Sequence, residues 1–262
     1  MKKLIFITVF NNINYVRMLS LLVKTLYVYG NIDEDTHILI YTSTQFKYFI
    51  ENSQFYSNKI HFFINDNYNT VDSACKARLD LFDYELIDNY EKILYLDTDI
   101  LVQRNINFIF DLIEENKIYA FGEGDISNDK NDFFGGKSLF INEINNYKDK
   151  SAFNSGVLLF NNCFEIKNLF KTIKNHMLQN KSAKFNDQPY FVYNAKKYNL
   201  INNTILNNYV ELTNKMPKTN KAILHISGGP GIYKDKLNIM IIYFNNMLKN
   251  STFIKKNTEC NI

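Results

Sequence analysis

A chain of 262 residues with 46% apolar content and a formal charge of +3 is long enough for one large domain with a sizeable core. So weak a positive charge, with no basic block, argues against a nucleic-acid partner. Three scattered cysteines, Cys75, Cys163 and Cys260, lack metal-ligand spacing and read as reduced thiols of a cytoplasmic protein.

The first ten residues imitate a signal peptide, with two lysines ahead of an apolar run. That run is short and passes into polar residues from Asn11 to Tyr15 without a small-residue cleavage site, so 4–10 reads as a strand. Residues 15–29 have helical periodicity, with Gly30 as C-cap. Strands follow at 37–41 and 60–64, separated by a helix over 44–51. The spacing of 72–89 predicts one further helix, and 92–96 a further strand. This β-α-β order predicts an α/β domain with a mostly parallel sheet and helices on both faces. From 122 to 151 the pattern dissolves into Gly, Asp, Asn and Lys, which reads as long active-site loops. A strand at 157–160, helices at 166–179, 188–195 and 236–249, and a short apolar run at 222–226 complete the reading. No run reaches the length of a membrane span, so the chain is expected to be soluble. Neither a repeat nor a linker divides it: one domain over 1–256 and a frayed tail over 257–262 are expected.

The apolar run 93–96 ends in Asp97, Thr98 and Asp99, after which apolar residues resume. A strand that delivers two carboxylates to its end places hard oxygen ligands at the sheet rim, where open α/β sheets bind their ligands. Such close carboxylates repel unless a cation joins them, which points to Mg²⁺ or Mn²⁺ and suits a diphosphate. Three further segments place polar residues at element ends. Asn154 and Ser155 precede a strand, where they could bond a sugar hydroxyl or merely cap a turn, and Gly156 permits close backbone approach. Asp187 and Gln188 stand ahead of a helix with Pro189, a placement that suits a helix cap as well as a site. His225 leaves an apolar run into a loop with Gly228, Gly229 and Gly231, the setting of a third metal ligand beside a phosphate-receiving loop.

In this order the segments resemble glycosyltransferase family eight, which includes glycogenin and the bacterial lipooligosaccharide galactosyltransferases; the resemblance runs over about 3–236. It implies a GT-A-like single domain and transfer from a nucleotide-diphosphate sugar. By the same resemblance Thr8, Val9, Asn11, Asn12 and Tyr15 hold the base and ribose, and Arg78 steadies the donor near the aspartates. Asp97, Asp99 and His225 become the metal ligands. Asn154, Asp187 and Gln188 surround the transferred sugar, with Glu123 or Asp125 near sugar or acceptor. The family's Lys-Pro-Trp after the histidine is absent here, and Lys234 or Lys236 is expected to take over its lysine's grip on the diphosphate, beside Gly228.

The expected activity is a metal-dependent, retaining hexosyl transfer from a UDP-sugar, with Mn²⁺ or Mg²⁺, to a glycan, lipid or protein acceptor. Two alternatives stand beside it. One is a non-catalytic nucleotide-sugar or glycan-binding protein on the same fold. The other is a haloacid-dehalogenase-type phosphatase, disfavoured by Leu101 at the fifth motif position and by the lateness of the strand.

Overall fold

Strand β1 (Lys3–Val9) is an almost unbroken apolar run because both of its faces are covered. Leu4 and Phe6 enter one core cluster, while Ile5, Ile7 and Val9 enter another on the opposite face. The computed structural model describes residues 2–128, 135–180, 187–215, 219–228 and 233–259. After β1 come α1 (Ile13–Val28), β2 (Thr36–Thr42), α2 (Thr44–Glu51), β3 (Ile60–Ile64), α3 (Val71–Lys76) and β4 (Lys92–Leu96). The remainder is β5 (Ile100–Val102), β6 (Ile118–Asp125), β7 (Ser151–Asn161), α4 (Phe164–Gln179), α5 (Gln188–Lys197), β8 (Ile201–Asn202), β9 (Val210–Thr213), β10 (Ile223–Ile226) and α6 (Tyr233–Glu259).

A seven-stranded sheet has the order β3-β2-β1-β4-β7-β6-β8. β7 is antiparallel to both its neighbours and the other pairings are parallel, so it alone runs against the rest. After β1 the chain builds outward through β2 and β3, then returns to the other flank of β1 with β4. The carboxyl ends of β1 and β4 therefore flank a topological switch point, where such sheets open a crevice.

A second sheet, β5-β10-β9, is tied to the first through α1. That helix starts at Asn12, whose Oδ1 accepts the Asn14 N–H at 2.9 Å. Leu19, Leu22 and Leu26 pack on the large sheet, whereas Met18 and Leu21 meet Leu101, Leu224 and Met240 of β5, β10 and α6. On the other face of the large sheet lie α4 and α5, through Ile166, Phe170 and Phe191.

Five expectations need correction. Residues 72–89 are not one helix: α3 stops at Lys76 and gives way to 3₁₀ turns at Ala77–Asp83 and Ile87–Asn89. Five consecutive residues from Ala77 to Leu81 are buried, which a helix with a single apolar face cannot accommodate. Nor is 122–151 all loop, since β6 continues to Asp125 and β7 begins at Ser151, paired with register shifts that fit its glycines. Gly30 is not a left-handed cap; a Cβ there would lie 2.6 Å from the Leu26 carbonyl oxygen, and the left-handed residue is Asn31, at φ 49°. Strands β5, β6, β8 and β9 lie outside the strands expected from the sequence. Helix α6 runs past residue 257 to Glu259, and residues 260–262 lie outside the described ones. No helix among the described residues is long and apolar enough to cross a membrane.

Candidate active site

The motif Asp97-Thr98-Asp99 is the crossing between the two sheets: β4 ends at Leu96 in one and β5 begins at Ile100 in the other. β5 pairs antiparallel with β10 so that Ile100 faces His225, and the Ile226 N–H donates to the Asp99 carbonyl at 2.8 Å. This register brings the histidine to the aspartates. One ligand atom from each of Asp97, Asp99 and His225 lies within 4.8 Å of the others. His225 Nε2 is 3.2 Å from Asp99 Oδ1 and 3.9 Å from Asp97 Oδ2.

Asp99 Oδ1 is buried without a hydrogen-bond donor and faces His225 Nε2 at 3.2 Å. Two carboxylates and an imidazole form a donor set that fits Mn²⁺ or Mg²⁺. Gly156 closes the site from behind. Its carbonyl accepts the Asp97 N–H at 2.9 Å, and a Cβ on it would meet His225 Cε1 at 2.3 Å and Asp97 Oδ2 at 2.7 Å. The close approach expected at Gly156 is thus made by the His225 and Asp97 side chains.

Cations surround this acidic pair. Lys236 Nζ is 2.5 Å from Asp99 Oδ2. Arg78 places NH1 at 3.6 Å from Asp97 Oδ1 and at 2.5 Å from the Ser155 carbonyl, and its Cζ lies 4.7 Å above the Tyr95 ring. Its Nε lies 2.6 Å from Asp187 Oδ2, and NH2 donates to Asp187 Oδ1 at 3.3 Å. Burial works against the charge of Asp99, but Lys236 and then His225 outweigh it and hold that carboxyl below the ordinary range. Burial works likewise against His225 and Lys236, whose pKa values are nonetheless raised, chiefly by Asp99. Asp187 behaves oppositely: burial pushes it up to about 6, with Arg78 pulling down and Asp97 pushing up.

A cavity of ≈ 460 Å³ opens over these groups at the switch point. Of the residues expected at the site, Thr8, Asn11, Tyr15, Arg78, Asp97, Thr98, Asp99, Asn154, Asp187, Gln188, His225, Gly228 and Lys236 line it. Three do not. Val9 is a core residue, Asn12 caps α1, and Asp125 turns its carboxylate to Ser127, accepting from N and Oγ at 2.6 Å each. Of the two acids left open, Glu123 is the one in the cavity wall, where it accepts from Asn154 Nδ2 at 3.0 Å. Gln188 accepts at its carbonyl from both N and Oγ of Ser155 at 3.2 Å. Asp187 precedes α5 but makes no side-chain cap, because its carboxylate goes to Arg78. Asn186, Gly229 and Gly231, and the side chain of Lys234, lie outside the described residues.

Sequence reasoning assigned no role to Tyr95. Its hydroxyl donates to Asp97 Oδ1 at 2.5 Å and lies 3.3 Å from Thr8 Oγ1. Two residues apart on a strand share a face, so its position relative to Asp97 was a usable signal. Val71, Ala74 and Cys75 also line the cavity, with the Cys75 thiol pushed up to about 12 by burial.

The family model described as "Glycosyl transferase family 8" matches residues 12–229. The chain belongs to this family. The phosphatase alternative is thereby set aside. No curated protein sequence matches significantly. Among solved structures, the galactosyltransferase LgtC in complex with donor and acceptor sugar analogs is similar at TM-score 0.63 and 15% identity, covering 90% of this chain and 95% of that one. Mouse xyloside xylosyltransferase 1 in its apo form is similar at TM-score 0.59 and 11% identity, covering 86% and 97%. The apo bifunctional glycosyltransferase WbbM reaches TM-score 0.60 at 12% identity over 95% of this chain, which spans 51% of the WbbM chain. At identities this low these likenesses show the fold alone, which is the GT-A fold.

Proposed function

We propose that this family-8 glycosyltransferase is a cytoplasmic, divalent-metal-dependent enzyme that moves a hexose from a UDP-sugar to a glycan, lipid or protein acceptor with retention of anomeric configuration. What carries the reading is the meeting of Asp97, Asp99 and His225 at the switch point, in the wall of a cavity that also holds fixed cations. A divalent cation held by these three residues supplies neutralisation of the diphosphate as it departs.

The chain's own residues divide the remaining work. Thr8, Asn11 and Tyr15, at the β1 end of the cavity, receive the base and ribose. Lys236 offers its charge to the diphosphate. Arg78 stands between Asp97 and the sugar compartment, locked by Asp187 and the Ser155 carbonyl, so its positive field needs no reorganisation during reaction. Asn154, Gln188 and Glu123 face the sugar hydroxyls, with Gln188 oriented by Ser155 and Glu123 by Asn154. The bond from the anomeric carbon to the diphosphate oxygen breaks, the acceptor oxygen bonds to that carbon, and its proton passes to the departing phosphate. Asp187 is engaged by Arg78, which favours same-face attack over a covalent intermediate on that carboxylate.

A thermal-shift panel of nucleotide sugars with and without Mn²⁺ tests the donor assignment, followed by measurement of nucleotide diphosphate release. A UDP-hexose should stabilise the chain only with Mn²⁺ and should be cleaved. Stabilisation without any UDP release would instead identify a binding protein.

A further inference from the structure

Lys236 is a buried cation seated on a metal ligand. It comes from the first turn of α6, its Nζ lies 2.5 Å from Asp99 Oδ2, and both residues are less than one-tenth exposed. The other oxygen of the same carboxylate faces His225 Nε2 at 3.2 Å. The lysine stem runs against the Gly228 backbone, where a Cβ would come within 2.9 Å of Lys236 Cε. Arg78 differs from it, because Asp187 and the Ser155 carbonyl anchor its guanidinium independently of Asp97. Lys236 is thus the cation anchored on the ligand carboxylate itself.

We propose that Lys236 is an internal counter-cation that makes divalent-cation binding at Asp97, Asp99 and His225 conditional on a diphosphate. An ion arriving alone meets a carboxylate already neutralised by a buried ammonium, and like charges in a weakly screened interior repel strongly. The ammonium cannot simply withdraw, since a buried charge without a partner is costly. A diphosphate changes this by bringing negative charge to which Lys236 transfers, freeing Asp99 for the ion. Metal and diphosphate then load as one unit. By linkage each raises the other's affinity by the same factor. The inference rests on the proposed reading of this cavity as a diphosphate site.

The test is calorimetric titration of the full chain with Mn²⁺ alone and with Mn²⁺ plus inorganic pyrophosphate, a probe independent of the nucleotide's identity. Wild type should bind Mn²⁺ at least about tenfold tighter with pyrophosphate. Lys236→Met should bind Mn²⁺ alone about tenfold tighter than wild type and gain less from pyrophosphate. Lys236→Arg keeps the charge and should behave as wild type. Lys236→Gln serves in place of the Met variant if circular dichroism shows that variant unfolded. Unchanged or weaker Mn²⁺ binding by the neutral variants, or no effect of pyrophosphate on wild type, would overturn the proposal while leaving the metal site standing. No Mn²⁺ binding under any condition would overturn both.

Discussion

The Arg78 guanidinium and the Asp187 carboxylate meet at 2.6 Å in the floor of the cavity, far apart in sequence and nearly closed to solvent. Through this pair Asp187 reaches Asp97, because the same guanidinium stands 3.6 Å from its Oδ1. Asp187 therefore positions Arg78 against Asp97 while also lining the cavity.

Asp187→Ala leaves Arg78 as a buried charge without its main partner, and it should lower stability by about 3–5 kcal/mol in urea denaturation. Turnover at saturating donor should fall by roughly two orders of magnitude, since the arginine's orientation matters most as charge develops. A variant with wild-type stability would show that the pair is not the anchor described.

Burial of Asp187, which outweighs the opposing pull of Arg78, also sets a pH dependence. Asp187 titrates near 6 in the folded chain against 3.8 ordinarily, so the folded state binds the extra proton. Its contribution to stability is therefore fully present below pH 4 and is lost as pH rises through 6. Relative to Asp187→Asn, wild type should lose about 1 kcal/mol between pH 5 and pH 7. Equal slopes for the two proteins would remove Asp187 as the titrating group.

Gly156→Ala inserts a methyl within 2.3 Å of His225 Cε1 and 2.7 Å of Asp97 Oδ2. Both ligands must move, so Mn²⁺ binding by calorimetry should be lost or weakened at least about tenfold, the scale on which ligand-orienting contacts act. Retained Mn²⁺ affinity would mean that the three ligands do not act together.

Tyr95→Phe keeps the ring beneath Arg78 and removes only the hydroxyl that donates to Asp97. Metal affinity should fall by about 10–100-fold with little change in melting temperature, as for other groups that orient a metal ligand. An unchanged affinity would confine Tyr95 to packing.

Much of this site was legible in the sequence because its residues sit where strands end. The run into Asp97 and Asp99, the limits 44–51 of α2 and 60–64 of β3, and His225 after an apolar run all follow from local pattern. Other features depend on neighbours distant in sequence. The Gly-Glu-Gly-Asp composition of 122–125 reads as loop, yet it is strand because β7 lies alongside. Residues 77–81 have helix-like spacing, yet they form a 3₁₀ turn in which all five are buried. Nothing local assigns the Asp187 carboxylate to Arg78 rather than to the helix it precedes, since that choice is made by packing across the sheet.

The most direct measurement is UDP release from a panel of UDP-hexoses, in Mn²⁺ and in EDTA, by wild type and by Asp97→Asn and Asp99→Asn. The expected result is release from at least one donor in Mn²⁺, abolished by EDTA and by either substitution while circular dichroism shows the fold intact. Release that persists in EDTA, or wild-type release by the aspartate variants, would contradict a metal-dependent transferase centred on Asp97, Asp99 and His225.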